Sequence, residues 1–518
     1  MYRLKPSLRL GLLALLLASC APLAVAQSDA PDDDVTREVL KFTRIYATIQ
    51  ENFMEPLNSE QLIYNGSIRG ALAELDPFSN FFDPDQLDQL KQFTMGKTKG
   101  FGSILYVQPG KILVLQTAEG SPSRRAGLGP GDEIVSLNGT RIDRLDLQSL
   151  VEMLQRSRSQ TVRLSVIRPG KVVSEDFELY PAELPSPSVD KAFALAPGVG
   201  YLHLNAFDLK TPQEIADAVR KLGGAALQGL VFDLRDNRGG VLDAATAAAS
   251  LFLKPDLLVL TQRGRAMPEK SFRTYEAPAR FDVPLVVLVN GTTASAAEVF
   301  VAALQEHDRA LVAGEPTFGK GVVESVVELS HNTGLALTTA QYFTPSGRSI
   351  QRPLAGTSLA DPEAGLRAES ERNFHTASGR PLAHGGGISP DVELPVPTHD
   401  PWVMFLNQRG LFTSFASEFL TTHGKITEQF VPDAPTLEAF RVFLARQRIR
   451  APEEFWEPDQ DYLKLRIRTE LINLVFGLEM GEQIETHGDP QVQRAVELFP
   501  RINALLKPRT PDLAVAPR

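Results

Sequence analysis

A serine at the junction of a strand and a helix is the first residue whose position suggests chemistry. The continuous apolar run Leu285–Val289 predicts a buried strand, and the segment from Ala296 to Leu304 has the pattern of a helix. Ser295 lies between them, so the fold would hold its hydroxyl out of the sheet. The unpaired N–H groups of the helix start, that of Ala296 first, would face a developing oxyanion. A plain N-cap serine fits the same position, and no G-x-S-x-G motif surrounds it.

A lysine among glycines and valines, Lys320, is the second residue of this kind. Its segment, Gly314–Gly321, almost matches the phosphate loop G-x-x-x-x-G-K-[ST], but Gly321 replaces the required hydroxyl. The strand-like run Val322–Leu329 follows where a phosphate loop needs a helix, so we exclude nucleotide binding. Desolvation disfavours a charged amine, and a neutral amine is able to take a proton from a serine. The alternative is a solvated lysine at a surface turn.

Together the two segments resemble the Ser-Lys dyad of the carboxy-terminal processing, or tail-specific, proteases. The serine lies in Thr293-Ala-Ser-Ala-Ala-Glu298 and the lysine in Thr317-Phe-Gly-Lys-Gly321. The resemblance implies that Ser295 is the nucleophile and Lys320 the general base, and it implies no cofactor and no metal. Four further segments resemble family motifs in the same order, namely Asp76-Pro-Phe-Ser79, Leu234-Arg-Asp-Asn-Arg-Gly-Gly240, Phe343-Thr-Pro-Ser-Gly-Arg-Ser-Ile-Gln351 and Gly387-Ile-Ser-Pro-Asp391.

The same resemblance implies an oxyanion hole made by backbone groups. Its donors would be the N–H of Ala296 and the N–H of either Gly239 or Gly240. Glycine at such a position lets the backbone approach a substrate closely. The alternative is that the two glycines only make a tight turn between a strand and a helix.

Glu324 departs from the family pattern, which usually has glutamine four residues after the lysine. Alternation along a strand places positions 320 and 324 on one face, so the two side chains should lie close together. An ionised carboxylate would stabilise the ammonium and oppose general-base catalysis at neutral pH. Either Glu324 is protonated and mimics glutamine, or it is ionised and confines activity to alkaline pH, or the dyad is idle until a substrate or partner rearranges it. A substitution without consequence is the remaining alternative.

A glycine-rich β region before these motifs resembles a PDZ domain of the kind found in proteases. Such domains bind extended C-terminal peptides by strand addition and hold the terminal carboxylate with backbone N–H groups. The resemblance implies a peptide-binding loop made of Lys99, Gly100, Phe101, Gly102 and Ser103. The segments that carry it are Gly100-Phe-Gly-Ser103, Gly120-Ser-Pro-Ser-Arg-Arg-Ala-Gly-Leu-Gly-Pro-Gly-Asp132 and Val135-Ser-Leu-Asn-Gly139.

The elements that must position these residues form a multidomain α/β protein. Helical spacing predicts an N-terminal helical region over 35–98, followed by the PDZ domain at 99–184. Alternating strand and helix patterns favour an α/β protease core over 185–396, with a polar insertion at 354–386. The resemblance implies that this core adopts the α/β spiral fold of crotonases and Clp proteases. Helical spacing returns in a C-terminal region over 397–508.

The start of the chain has the pattern of a secretory signal, a basic flank (Arg3, Lys5, Arg9) and then the apolar run Leu10–Ala18. This run is shorter than the roughly 20 residues of a membrane span. Cleavage after Ala24-Val-Ala26 would make 1–26 the signal and 27–34 a tether, whereas Leu17-Ala-Ser-Cys20 resembles a lipobox that would lipidate Cys20. The expected location is the bacterial cell envelope (periplasm), with membrane contact only through such a lipid anchor.

Composition excludes several other classes of protein. The single cysteine excludes an intramolecular disulfide and any multi-cysteine metal site, and none of the 8 histidines forms an H-E-x-x-H motif. A formal net charge of -10 disfavours a general nucleic-acid binder. With 43% hydrophobic residues over 518 positions, the chain should fold into several domains.

The favoured interpretation is a secreted or envelope-anchored Ser-Lys endopeptidase that binds unstructured C-terminal tails of proteins on its PDZ domain and cleaves them. The alternative is a PDZ adaptor in which Glu324 has disabled the dyad. A Ser-Lys acyl hydrolase of small substrates fits the dyad but leaves the PDZ domain unexplained. The helical regions are candidates for contacts in a homo-oligomer.

Overall fold

The computed structural model of this 518-residue chain describes residues 33–354, 373–383, 386–396, 398–450 and 452–505. The chain forms two compact units, one ending at Gly70 and one beginning at Ala71. The predicted signal sequence and Cys20 lie outside the described residues, as does most of the predicted insertion.

The first unit is helical. It contains α1 (Asp33–Asn52) and a π-helical segment, Gln61–Ile68. α1 begins inside the stretch that the sequence predicts to be a tether. Its apolar side chains recur at intervals of three and four residues and are exposed or half-buried, namely Val35, Val39, Phe42, Tyr46 and Ile49. The helix therefore has an apolar face that its own unit does not cover.

The β-rich region predicted to be a PDZ domain forms its own sheet. The elements leading into it are α2 (Arg69–Ala73), β1 (Asn80–Phe82), α3 (Pro84–Thr94) and β2 (Lys97–Gly100). Its own elements are β3 (Ser103–Gln108), β4 (Lys111–Thr117), α4 (Pro122–Ala126), β5 (Glu133–Leu137), β6 (Thr140–Arg141), α5 (Leu147–Ser157), β7 (Val162–Ile167) and β8 (Ser174–Leu179). The strand order β3-β4-β5-β7-β8 makes β3 an edge strand. β9 (Ala182–Pro185), which follows this sheet along the chain, pairs with β2, which precedes it.

The next part of the chain alternates strands and helices. In order these are β10 (Val189–Ala196), β11 (Val199–Leu204), α6 (Thr211–Leu222), β12 (Gly229–Asp233), α7 (Leu242–Ser250), β13 (Leu258–Arg263), β14 (Lys270–Arg273), β15 (Leu285–Val289), α8 (Ala296–Glu306), β16 (Ala310–Gly314), β17 (Val322–Glu328), β18 (Gly334–Phe343), β19 (Phe374–His375), β20 (Pro381–Leu382) and β21 (Val392–Glu393). Strands β10-β11-β12-β15-β16-β21 form one sheet, in which every pair after the first is parallel. A second sheet joins β1-β18-β13-β14, with β17 also paired to β18.

The C-terminal region is helical and has a core of its own. Its elements are α9 (Pro401–Gln408), α10 (Leu411–His423), α11 (Ala434–Arg446), α12 (Glu453–Trp456), α13 (Gln460–Phe476), α14 (Leu478–Gly488), α15 (Pro490–Leu498) and α16 (Ile502–Leu505). The rings of Phe412, Phe415 and Phe440 pack together at the centre of that core.

Helices cover both faces of the parallel sheet, which is why its strands read as continuous apolar runs. On one face, α6, α7 and α8 bury a large apolar core that includes Phe232 and Phe300. On the other face, Val492 and Ala495 of α15 pack against strand residues such as Val286. The end of the C-terminal region therefore forms a helical layer that packs on one face of the core sheet.

The mixed α/β core, the β-rich region and the helical regions confirm the predicted fold class. β15 has the bounds that the sequence predicts, and α8 begins directly after Ser295. β1 was not predicted, because its short pairing with β18 joins segments distant in sequence. Within the described ranges, no helix combines the length and the apolar character that a membrane span requires.

Candidate active site

Ser295 follows β15 and immediately precedes α8. Its backbone has φ of 58° and ψ of -123°, and a positive φ is uncommon for a residue other than glycine. The Ser295 N–H donates to Glu298 Oε2 at 2.8 Å, and its carbonyl oxygen accepts from Tyr342 Oη at 3.1 Å. Such a conformation persists only where its surroundings fix it, and these two bonds do so.

The glycine turn after β12 lies against this serine. A Cβ on Gly239 would lie 2.9 Å from Ser295 Cβ and 2.9 Å from the Ala296 nitrogen, so this close approach requires glycine. The Gly239 N–H donates to Asn237 Oδ1 at 2.8 Å. Among the hydrogen bonds of the described residues, none uses the N–H of Gly240 or of Ala296. Of the two glycines, the geometry therefore favours Gly240 as the second donor to an oxyanion.

Lys320 lies in the loop between β16 and β17. Its Nζ donates to Glu324 Oε2 at 2.9 Å and lies 4.5 Å from the centroid of the Phe78 ring. In the part of the chain that the structure describes, no hydrogen bond joins Lys320 Nζ to Ser295 Oγ. The amine is therefore held by a carboxylate and an aromatic face, and not by the serine.

Glu324 lies beside Lys320, as expected, but not through strand alternation, because Lys320 lies in the loop before β17. A β-bulge between Val323 and Glu324 interrupts the pairing of β17 with β18 at this point. Burial raises the pKa of the Glu324 carboxyl above its usual range, although Lys320 opposes this shift; nearby Asp76 adds to it. Glu324 Oε1 is buried and has no hydrogen-bond partner among the described residues. Both observations favour a carboxyl that takes up a proton more readily than an exposed glutamate.

A buried carboxylate, Glu298, joins the serine turn, residues 290–295, to the lysine loop, residues 315–321. Its Oε2 accepts from the N–H groups of Ser295 at 2.8 Å and Lys320 at 2.9 Å. Its Oε1 accepts from the Gly319 N–H at 2.8 Å and from Thr317 Oγ1 at 2.5 Å. Burial raises the pKa of this carboxyl, and the four donors oppose the shift. Sequence reasoning missed this role, although a glutamate inside an otherwise apolar helix was a usable signal.

Tyr342, in β18, is a second residue that sequence reasoning missed. Its hydroxyl lies between the carbonyl oxygens of Ser295, at 3.1 Å, and Lys320, and shares its one proton between them. The ring is buried, and burial raises the pKa of the hydroxyl well above its usual range, which keeps it a donor. Tyr342 therefore binds the backbone of both candidate catalytic residues.

The Asp76-Pro-Phe-Ser79 segment brings Phe78 to the lysine. Asp76 Oδ1 accepts from the N–H groups of Phe78 and Ser79, each at 2.7 Å. Ser79 Oγ accepts from the Thr338 N–H at 3.1 Å, which ties the segment to β18. The motif is thus a hydrogen-bonded turn that fixes the Phe78 ring beside the amine of Lys320.

The predicted peptide-binding loop lies elsewhere, at the start of the β-rich region. Lys99 and Gly100 are paired in β2, whereas Phe101 and Gly102 lead into Ser103 at the start of β3. No described hydrogen bond or ion pair joins this loop to the residues around Ser295. α5 packs beside the edge strand β3, and the exposed apolar side chains along the two elements are Ile104, Leu147 and Val151.

Comparison with known proteins identifies the family. Residues 198–358 match the family model of peptidase family S41, and residues 113–168 match that of the PDZ domain. The carboxyl-terminal-processing protease of Synechocystis is 34% identical over 311 residues, which cover 59% of this chain and 72% of that protein. The chain belongs to the carboxyl-terminal-processing proteases. The predicted family is therefore confirmed, and with it a serine endopeptidase that carries a PDZ domain.

Other carboxyl-terminal-processing proteases are similar over comparable lengths. The carboxy-terminal processing protease CtpB of Bacillus subtilis is 29% identical over 333 residues, covering 64% of this chain and 68% of that protein. Among solved structures, the photosystem II D1 C-terminal processing protease is 27% identical, with a TM-score of 0.37, and the match covers 68% of this chain and 86% of that one.

Proposed function

We propose that this protease cleaves protein tails with Ser295 and Lys320 as its catalytic pair. Ser295 Oγ attacks the scissile carbonyl while neutral Lys320 takes the hydroxyl proton. The N–H groups of Gly240 and Ala296 donate to the oxyanion. The lysine then gives its proton to the departing amine, and a water hydrolyses the acyl-enzyme with the lysine again as base.

The observation that carries this proposal is the serine turn itself. Ser295 has a positive φ, and the segments beside it carry two backbone donors, on Gly240 and Ala296, that have no acceptor among the described residues. Strained backbone and unpaired N–H groups both cost free energy, and a binding protein would gain nothing from them. Family membership and this turn do not favour the adaptor alternative.

The contact between Lys320 and Glu324 is the resting arrangement in this proposal. A proton transferred from the ammonium to Glu324 Oε2, across 2.9 Å, leaves a neutral amine and a neutral carboxyl with the same net charge. Burial of Glu324 favours this second form, in which the carboxyl resembles the glutamine usual in the family. The freed amine then turns to Ser295 when substrate is bound. Of the three outcomes that the sequence leaves open, a protonated Glu324 is the one we favour.

Substrate capture falls to the PDZ domain in this proposal. β3 is an edge strand with α5 beside it, the arrangement that adds a peptide as an extra strand. The loop 99–103 holds the terminal carboxylate, and the exposed Ile104 and Val151 contact apolar side chains of the peptide. Substrates are therefore proteins with free, unstructured C-termini, and nucleic acid is not a partner.

Location and assembly complete the proposal. The leader delivers the protein to the bacterial envelope, the periplasm, either by cleavage after residue 26 or with Cys20 as a lipid anchor. The apolar face of α1 has the spacing of a coiled-coil seam, with Val35, Val39 and Phe42 exposed. We assign that face to a second copy of the chain, which makes the protease a homo-oligomer.

An internally quenched peptide with a free C-terminus tests the proposal. Wild type should cleave it, and Ser295→Ala should lower kcat/KM at least about a thousandfold. Ser325→Ala is the matched control, because this serine lies in β17 and bonds Thr339 instead. The same peptide with an amidated C-terminus should show a raised KM, because the PDZ loop loses its carboxylate. Equal turnover by wild type and Ser295→Ala would refute the proposed dyad.

A further inference from the structure

The cap of α15 contacts the turn that carries the candidate oxyanion donor. Asp489 caps this helix, with Oδ1 accepting from the Gln491 N–H at 2.8 Å. Its other oxygen, Oδ2, lies 2.7 Å from Arg235 Nη1. The same Nη1 donates to Gln491 Oε1 at 2.8 Å. One short stretch of the C-terminal region thus binds the guanidinium of a residue distant in sequence.

Arg235 is also tied to the end of β12. Its Nη2 donates to Asp233 Oδ2 at 2.6 Å, and its Nε lies 3.0 Å from both oxygens of that carboxylate. Asp233 is fully buried and accepts a further hydrogen bond from Tyr201 Oη at 2.8 Å. The guanidinium therefore bridges two carboxylates, one at the end of a sheet strand and one at the N-terminal cap of α15. Removing one partner of a buried ion pair is strongly destabilising, so the loss of either carboxylate is expected to disturb the guanidinium.

The backbone of Arg235 belongs to the turn between β12 and the glycine pair. The neighbouring Leu234 carbonyl accepts from the Asn237 N–H at 3.1 Å and from Thr293 Oγ1 at 2.8 Å. The Asn237 carbonyl accepts from the Ala294 N–H at 2.9 Å. This turn therefore sets the position of the glycine pair relative to the serine turn, and its first side chain is the arginine held by α15.

Gln491 is itself fixed, so the link is rigid at both ends. The side chain is buried, and its Nε2 donates to the Leu394 carbonyl, just after β21, at 2.5 Å. Val492 and Ala495, from the same helix, pack into the apolar core on that face of the sheet. α15 is thus fixed on the sheet by packing and a hydrogen bond where it contacts Arg235. A change in its cap is therefore expected to move the turn after β12.

We infer that Asp489 and Gln491 are positioning residues for the oxyanion hole, so that the C-terminal helix α15 completes the catalytic machinery. The inference rests on the proposed function, because it assumes that Gly240 and Ala296 bind the oxyanion. Among the described residues, no hydrogen bond or ion pair joins the side chain of Asp489 or Gln491 to Ser295, to Lys320 or to the loop 99–103. Loss of either positioning residue should therefore weaken stabilisation of the transition state and leave peptide capture unchanged.

Asp489→Asn separates this role from helix capping. Asparagine caps a helix about as well as aspartate, so the variant keeps α15 and removes the charge facing Arg235. We expect kcat to fall about tenfold, the size of one lost charge-assisted hydrogen bond, with KM within about twofold of wild type. Asp433→Asn is the matched control, because Asp433 caps α11 through the Thr436 N–H and has no ion pair among the described residues.

The inhibition constant of a peptide boronic acid distinguishes an effect on the oxyanion hole from a general effect on the fold. The boronic acid bonds to the serine oxygen and places a boronate oxygen in the oxyanion hole, so its Ki should rise about tenfold in Asp489→Asn, in parallel with kcat/KM. Binding of the uncleaved peptide should not change when Asp489→Asn is added to a Ser295→Ala background. Thermal unfolding of both variants should show that the fold is intact.

Two results would overturn the inference. One is a kcat and boronate Ki in Asp489→Asn within twofold of wild type, while wild type itself depends on Ser295. The other is a loss that appears in KM, or equally in Asp433→Asn. If Asp489→Asn does not fold, Asp489→Ser keeps a good cap without the charge and is held to the same criteria. Ser295-independent wild-type activity would instead refute the proposed function, so the two failures remain distinct.

Discussion

The two halves of the proposed active site, the oxyanion donors and the Ser-Lys pair, differ in how completely they are prepared for reaction. In the proposed oxyanion half, the N–H groups of Gly240 and Ala296, which have no acceptor among the described residues, are fixed by the turns that carry them. In the proton-transfer half, Lys320 is held by Glu324 and Phe78, and its amine has yet to meet the serine. Backbone donors act without moving, and so a fold is able to fix them in advance. A base that must shed and accept a proton needs a partner and some freedom to turn.

Glu298 is where the two halves meet, and its loss is expected to have the largest effect. In Glu298→Gln the amide nitrogen would face two of the N–H groups that the carboxylate now satisfies. Unpaired buried donors cost about 1–3 kcal/mol each, so we expect a fall of about 3 kcal/mol in the free energy of unfolding. Because the serine and lysine loops separate, kcat/KM should fall at least about a hundredfold. Urea unfolding and peptide cleavage measure the two effects.

Glu315→Gln is the control for that substitution. Glu315 is the first residue of the lysine loop, is half-buried, and has no side-chain hydrogen bond among the described residues. It should leave both quantities nearly unchanged. Wild-type activity in Glu298→Gln would show that the two halves do not depend on one shared carboxylate.

Gly240→Ala tests the oxyanion half by itself. The residue has φ of 140°, and a Cβ there would lie 2.1 Å from the Phe207 carbonyl oxygen, so the backbone must move. Losing one oxyanion donor typically costs a factor of about a hundred or more in kcat. Gly291→Ala is the control, because a Cβ there meets only Pro316 O, at 4.0 Å. If Gly240→Ala keeps full kcat, the donor is not on this residue and the oxyanion half is less fixed than its geometry indicates.

The same contrast explains how far sequence reasoning could go. Ser295 and Lys320 could be proposed from the sequence because each lies next to a strongly patterned strand or helix and in a segment that resembles a family motif. Our preference for Gly240 over Gly239 as the proposed donor needed the structure, since it depends on which N–H the Asn237 side chain uses. The hydrogen bonds of a buried glutamate and tyrosine join loops distant in sequence, and no local pattern encodes them.

Glu324→Gln tests the proton-transfer half, with a smaller effect that depends on pH. When Glu324 is protonated it resembles glutamine, so variant and wild type should have similar kcat/KM at low pH. As pH rises and Glu324 ionises, only wild type holds the ammonium by charge. We therefore expect kcat/KM of Glu324→Gln to rise above that of wild type as pH passes through the ionisation of Glu324, with a ratio of about threefold at pH 7. An inactive variant beside an active wild type would contradict this account.

Stability should follow the same titration. The folded-state pKa of Glu324 lies above its value in the unfolded chain. Its contribution is therefore fully present below the unfolded value, near 4.5, and is lost as pH rises through the folded one. The melting temperature of wild type should fall relative to that of Glu324→Gln across this window. A difference between the two that stays constant with pH would mean that burial does not perturb this carboxyl.

Phe78→Leu is expected to have the smallest effect, because it removes only the aromatic face 4.5 Å from Lys320 Nζ. A cation–π contact with the charged amine at a partly exposed site contributes about 0.5–1 kcal/mol, so its loss should raise kcat/KM at neutral pH by no more than about fivefold. Phe318→Leu is the control, since Phe318 lies in the lysine loop but is exposed. If Phe78→Leu instead lowers activity at every pH, the ring holds the amine in its reactive position. The proton-transfer half would then be as fixed before reaction as the oxyanion half.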